Sequence, residues 1–119
     1  MKRKAIEDLK KWSDDPERKP MVLRGARQVG KTWLMKEFGR VYYENCVYFN
    51  FDEEDELKSI FEVNKNPARI VELLSMIAGS KIQPGKTLII FDEIQECPEA
   101  LNTLKYFREK ANEYHEVGS

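Results

Sequence analysis

Gly25-Ala26-Arg27-Gln28-Val29-Gly30-Lys31-Thr32 is a complete G-x-x-x-x-G-K-[ST] run, and the rest of the chain is read outward from it. Before it stands Met21-Val22-Leu23, a short apolar segment with the character of a buried strand. After it, Trp33, Leu34, Met35 and Phe38 continue on helical spacing. Strand, glycine loop and helix form the context in which such a run cradles a phosphate. Gly25 and Gly30 permit the tight backbone path that turns successive N–H groups inward, so that Ala26, Arg27, Gln28 and Val29 contribute main-chain donors. The helix that follows adds its own free N–H groups and the positive end of its dipole. Lys31 is the residue that reaches β- and γ-phosphates, and the Thr32 hydroxyl is a ligand for Mg²⁺. Two glycines and a lysine also occur in ordinary strand-to-helix turns. Here every constrained position is filled, which favours the phosphate reading.

A second segment completes the pattern. Leu88-Ile89-Ile90-Phe91-Asp92-Glu93 is an apolar strand ending in two carboxylates, 61 positions downstream of the lysine when counted from Lys31 to Asp92. A strand buried on both faces belongs in a parallel sheet, and its acids then lie at the carboxyl edge, where open α/β sheets bind ligands. Asp92 is placed to hold the shell of a Mg²⁺ ion, and Glu93 to polarise an attacking water. Many strands exit into acidic loops, so this signal acquires force only beside the complete glycine loop. The reaction expected of the pair is in-line attack of water on a γ-phosphate, with Lys31 and Glu93 as the catalytic residues. Arg24, Arg27 and Gln28 flank the loop at variable, commonly exposed positions, and no catalytic role is assigned to the Arg27 side chain.

The remaining sequence sets limits on this reading. With 119 residues there is material for one small domain. The net charge of −1 gives no support for general nucleic-acid binding, yet it conceals an asymmetry. Residues 1–40 carry 12 Lys/Arg against 6 Asp/Glu, and residues 41–119 carry 8 against 15. The positive part holds the glycine loop, which suits an anionic ligand as well as it suits two helices with solvated basic faces. Met1-Lys2-Arg3-Lys4 is followed by Ala5-Ile6-Glu7-Asp8, unlike a secretory leader, and no apolar run approaches the ~20 residues of a membrane span. Cys46, Cys97 and the single His115 have no metal-ligand spacing, so free thiols in a reducing cytoplasm are expected.

In chain order, Ala5, Ile6, Leu9 and Trp12 predict an amphipathic helix ended by Ser13-Asp14-Asp15-Pro16. The helix after the glycine loop is expected to stop near Gly39. Residues 46–51 read as a strand, and Asp52-Glu53-Glu54-Asp55 as a solvated loop that starts a helix rather than as a metal cluster. Leu57, Ile60 and Phe61 mark that helix. Asn66-Pro67 caps another, which runs through Ile70, Val71, Leu73, Leu74 and Ile77 to Gly79. Gln83-Pro84-Gly85-Lys86 is a turn, and Pro98 opens a last helix bearing Leu101, Leu104, Tyr106 and Phe107. Strands alternating with helices predict an α/β domain with a mainly parallel sheet.

With both motifs placed, the chain resembles a family of bacterial and archaeal AAA-type ATPases. The resemblance rests on Arg24 to Thr32, on Asn50-Phe51-Asp52, on Asp92-Glu93-Ile94-Gln95 and on Pro98. It implies a P-loop NTPase-like, three-layer α/β/α fold over residues 1–119. In that fold residues 1–20 are an N-terminal helix and linker, 21–38 the Walker A strand, loop and helix, and 87–95 the Walker B strand. It implies ATP, bound by Gly25 through Thr32, with Mg²⁺ held by Thr32 and Asp92. GTP is disfavoured because the chain has no Asn-Lys-x-Asp motif. Members of the family look longer, with a C-terminal domain of unknown function, and carry a longer apolar strand before the equivalent of Gly118-Ser119. Residues 115–118, with Glu116 among them, are therefore expected to make a poor central strand, since burying an unpaired charge is costly. The sequence thus reads as the truncated front part of an ATP-binding domain, with an incomplete sheet, weak hydrolysis, and a homo-oligomer or other protein completing the sheet. A nucleotide-dependent protein-interaction module is the alternative reading. A small-molecule kinase is weaker, because little chain remains for an acceptor pocket and lid.

Overall fold

The computed structural model describes residues 2–23 and 29–119. Gly25, Ala26, Arg27 and Gln28 lie outside them, as does the side chain of Val29. Five helices and four strands follow in the order α1 (Lys2–Asp14), β1 (Met21–Val22), α2 (Val29–Tyr42), β2 (Asn45–Asn50), α3 (Asp55–Val63), α4 (Pro67–Ala78), β3 (Thr87–Asp92), α5 (Pro98–Lys110) and β4 (His115–Gly118). A single 3-10 turn, Ile94–Glu96, links β3 to α5. The strands form one all-parallel sheet in the order β1-β4-β3-β2.

β3 is buried along all six residues, and the twofold alternation of its side chains divides the core into two layers. Ile89 and Phe91 face one side with Val47, Phe49 and Phe51, under Leu57, Ile60 and Phe61 of α3, Ile70 and Leu74 of α4, and Leu104 and Phe107 of α5. Leu88 and Ile90 face the other with Val117, under Leu9 of α1 and Met35 and Phe38 of α2. The expected three-layer α/β/α arrangement is therefore present. Local chemistry accounts for the boundaries. The Asn66 side chain accepts from the N–H groups of Ala68 and Arg69 with Pro67 at the first position of α4, and Gly79 closes that helix at φ 68°. Asp52 and Glu53 are exposed in the turn after β2, and Asp55 and Glu56 occupy the first turn of α3, where acids favour the helix dipole.

Three expectations are corrected. Gly39 does not end α2, which continues to Tyr42. A Cβ on Gly39 would stand 2.8 Å from Cys46 Cβ and 3.2 Å from Leu88 Cδ2, so this glycine exists to bring α2 close against β2 and β3. Ile77 and Tyr106, named with the apolar residues of their helices, are 39% and 42% exposed and lie outside the core.

The third correction concerns the sheet. No gap separates β1 from β3: β4 lies between them, with Met21 opposite Val117 and Ile90 opposite Val117 on the other side. Glu116 is 2% exposed in this central strand, and its Oε2 has no hydrogen-bond partner among the described residues. Burial drives its carboxyl well above the usual carboxylate range, against a smaller opposing pull from Arg18. Burial favours the neutral form of the acid, which lessens the cost that argued against such a strand.

Candidate functional site

The carboxyl edge of the parallel sheet carries the chemistry. β3 delivers Asp92, 5% exposed, at its last residue. In the first turn of α2, the Thr32 hydroxyl donates to Asp92 Oδ2 at 2.7 Å. Two segments 60 positions apart thus converge on one carboxylate. Donation uses the proton of the hydroxyl and leaves its oxygen lone pairs available. Together the two side chains offer hard oxygen donors of the kind a divalent cation takes.

Asp92 is held by two further donors. Tyr48, on β2, donates its hydroxyl to the same Oδ2 at 2.6 Å, and the Glu93 N–H donates to Oδ1 at 3.1 Å. Burial, reinforced by the bond to Asp92, pushes the Tyr48 phenol up to about 12, so it stays protonated and remains a donor. Asn50 Nδ2 donates to the Tyr48 oxygen at 3.4 Å. Sequence reasoning did not find Tyr48. Its role depends on register: Cys46, Tyr48 and Asn50 pair with Leu88, Ile90 and Asp92, so they share the face that looks toward α2.

Glu93 sits beyond the strand end at φ 54°, the one non-glycine residue with positive φ among those described. A side chain in this left-handed region costs about 1–2 kcal/mol, and such geometry persists where neighbours impose it. Here Ser119 N–H donates to the Phe91 carbonyl at 2.9 Å, and Ile94 N–H to the Ser119 carbonyl at 3.0 Å. Gly118 makes that clamp possible, since a Cβ there would stand 3.1 Å from the Phe91 carbonyl oxygen. The half-buried Glu93 carboxylate accepts from Gln95 Nε2 at 2.8 Å. Gln95 belongs to a run noted in the sequence, but no role had been assigned to it.

On the α2 side, Gly30 is exposed and Lys31 half-buried in the first helical turn. A Cβ on Gly30 would meet nothing within 4 Å among the described residues. Leu23 N–H donates to the Gly118 carbonyl at 2.7 Å and brings the end of β1 to the same edge as Asp92. A helix N-terminus with no acid in its first turn, a lysine and a hydroxyl beside a carboxylate together suit an anion carrying a divalent cation. No group of three or more His, Cys, Asp or Glu side chains able to hold a metal by themselves occurs among the described residues. A cation here would therefore need its remaining ligands from a bound phosphate or from water.

An all-parallel sheet layered between helices, with the end of β1, the start of α2 and the end of β3 meeting at its carboxyl edge, defines a domain of the P-loop NTPase-like fold. A family model described as AAA domain matches residues 17–119, and the chain belongs to that family. The match begins after α1, which covers the α2 face of the sheet. No curated protein and no solved structure matches the chain significantly. Among the described residues no helix is long and apolar enough to cross a membrane.

Proposed function

We propose that the domain binds ATP with Mg²⁺ in a reducing, cytoplasmic setting and hydrolyses it slowly when the chain acts alone. The observation that carries the reading is the 2.7 Å hydrogen bond from Thr32 Oγ1 to Asp92 Oδ2, which brings together a hydroxyl from the first turn of α2 and a strand-end carboxylate. In this reading the main-chain N–H groups of Gly25 through Thr32 surround the phosphates, Lys31 neutralises the terminal ones, and Thr32 and Asp92 hold the Mg²⁺ shell. Mg²⁺ supplies charge neutralisation between the β- and γ-phosphates. Glu93 is the base that orients water, and its bond to Gln95 must loosen for it to do so, which is one reason to expect slow turnover.

Calorimetric titration with ATP tests the proposal. Binding that tightens when Mg²⁺ is added, and that falls by about tenfold or more in Lys31→Ala, is expected. Equal heats for wild type and Lys31→Ala would overturn it. Association of copies through the outer edges of β1 or β2, each unpaired among the described residues, belongs to the same proposal. Sedimentation at high protein concentration that showed monomer throughout would remove this part of it.

A further inference from the structure

We propose that Tyr48 is a positioning residue for the divalent cation: its hydroxyl pins the Asp92 carboxylate in the orientation that, with Thr32, receives the ion. This inference rests on the Mg²⁺–nucleotide reading of the site. Asp92 ends its strand, and a carboxylate at a strand end rotates freely about its terminal torsion unless both oxygens are held. Glu93 N–H holds Oδ1, while Oδ2 receives both Thr32 and Tyr48. The Thr32 bond cannot fix the carboxylate by itself, because the Thr32 oxygen is the other half of the cation position and shifts with the ion. Tyr48 comes from a different element, β2, and has no reason to move when the ion arrives.

The tyrosine is itself fixed from several sides. Lys36 Nζ stands 4.1 Å above its ring, a cation–π contact, and Asn50 Nδ2 reaches its oxygen. Lys36 is four residues after Thr32, so one face of α2 carries both the cation-facing hydroxyl and the ammonium that clamps the tyrosine. The geometry thus ties the glycine-run helix, the edge strand and the acid-bearing strand through one phenol. A phenylalanine would satisfy the packing and the ring contact equally well. Only the hydroxyl reaches Asp92, and that separates a positioning role from a filling one.

Tyr48→Phe tests the assignment by Mg²⁺ titration of the ATP-bound protein, beside ATP binding in chelator and thermal melting without ligand. The expected result is a Mg²⁺ midpoint raised about three- to tenfold, the usual worth of one net hydrogen bond, with chelator-measured ATP affinity within about twofold of wild type. Lys36→Met, at an exposed position, keeps the phenol and removes its clamp. It is expected to shift the midpoint in the same direction by a smaller factor, and it carries the test if Tyr48→Phe does not fold. A wild-type midpoint in Tyr48→Phe overturns the inference, as does an equal loss of affinity with and without Mg²⁺. In the case of an unfolded Tyr48→Phe, an unshifted Lys36→Met midpoint overturns it. Wild-type protein with no Mg²⁺-dependent gain in ATP affinity would overturn the functional reading itself, and is told apart from these results because it appears before any substitution is made.

Discussion

Glu93 and Asp92 are sequence neighbours that face different surroundings, and the backbone between them explains how. Asp92 remains in the strand and points back toward α2, whereas the left-handed conformation at Glu93 swings the next carboxylate out toward Gln95. Adjacent acids on a straight strand would face opposite sides of the sheet. The proposed division, cation for Asp92 and water for Glu93, predicts that Glu93→Gln lowers ATP turnover by about 10²–10⁴ while ATP affinity stays within a few-fold of wild type. Single-turnover measurement beside equilibrium binding checks it, and parallel loss of both would argue that Glu93 serves the fold. The same substitution separates an ATPase from a nucleotide-dependent interaction module, since a module would retain its partner response. Both acids were legible in the sequence because carboxylates after a buried strand, a weak signal alone, stand beside a complete glycine run. Tyr48 and Gly118 were not, since an aromatic in a strand and a glycine near a chain end each have many ordinary reasons to be there.

Among the elements, α2 matters most, because Lys31, Thr32 and Lys36 all ride on it. Its distance from the sheet is set at Gly39, where the helix backbone touches Cys46 and Leu88. Gly39→Ala gains about 1 kcal/mol in helix propensity but forces a methyl group into Cys46 Cβ, an overpacking that costs typically 1–3 kcal/mol. A net loss of stability in denaturant titration is expected, together with weaker Mg²⁺-dependent ATP binding as Thr32 is levered away from Asp92. Unchanged stability would mean that the helix can shift without consequence. The sequence suggested a helix stop at this glycine because glycine commonly marks one. The competing reason, close helix-to-strand contact, depends on residues seven and 49 positions away and leaves no local trace.

For the whole molecule, the sheet order places a titratable pair at the centre of the fold. His115 and Glu116 are adjacent on β4 and face opposite layers. His115 lies against the rings of Trp12 and Tyr43, and Glu116 is sealed in the central strand. Burial, helped by Arg18, lowers the His115 pKa to about 4. The unfolded chain therefore takes up its proton first, and stability falls as pH drops from about 6.5 toward about 4. Glu116 acts with the opposite sign. Its raised folded pKa makes its contribution full below about 4.5, the contribution being lost as pH rises through the folded value. Glu116→Gln, which cannot ionise, is thus expected to stabilise the protein at pH 7–8 and to have little effect near pH 4, leaving the His115 acid limb alone. Urea unfolding across that range reads both limbs, and a stability loss at neutral pH would show that the buried acid is ionised and held by Arg18.

What the sequence determined by itself was everything carried by local pattern. The glycine run, the apolar strand with its acids, the caps at Asn66 and Gly79 and the alternation of strands and helices are short-range signals whose physics acts within a few residues. Tertiary structure alone decided which strand stands at the centre, why residue 39 is glycine, and that a tyrosine on β2 grips the acid on β3. These depend on register and on distance between segments far apart in the chain. A charge that looks prohibitive in a strand of four residues is less costly where burial favours its neutral form, and that shift belongs to the assembled core rather than to any stretch of sequence.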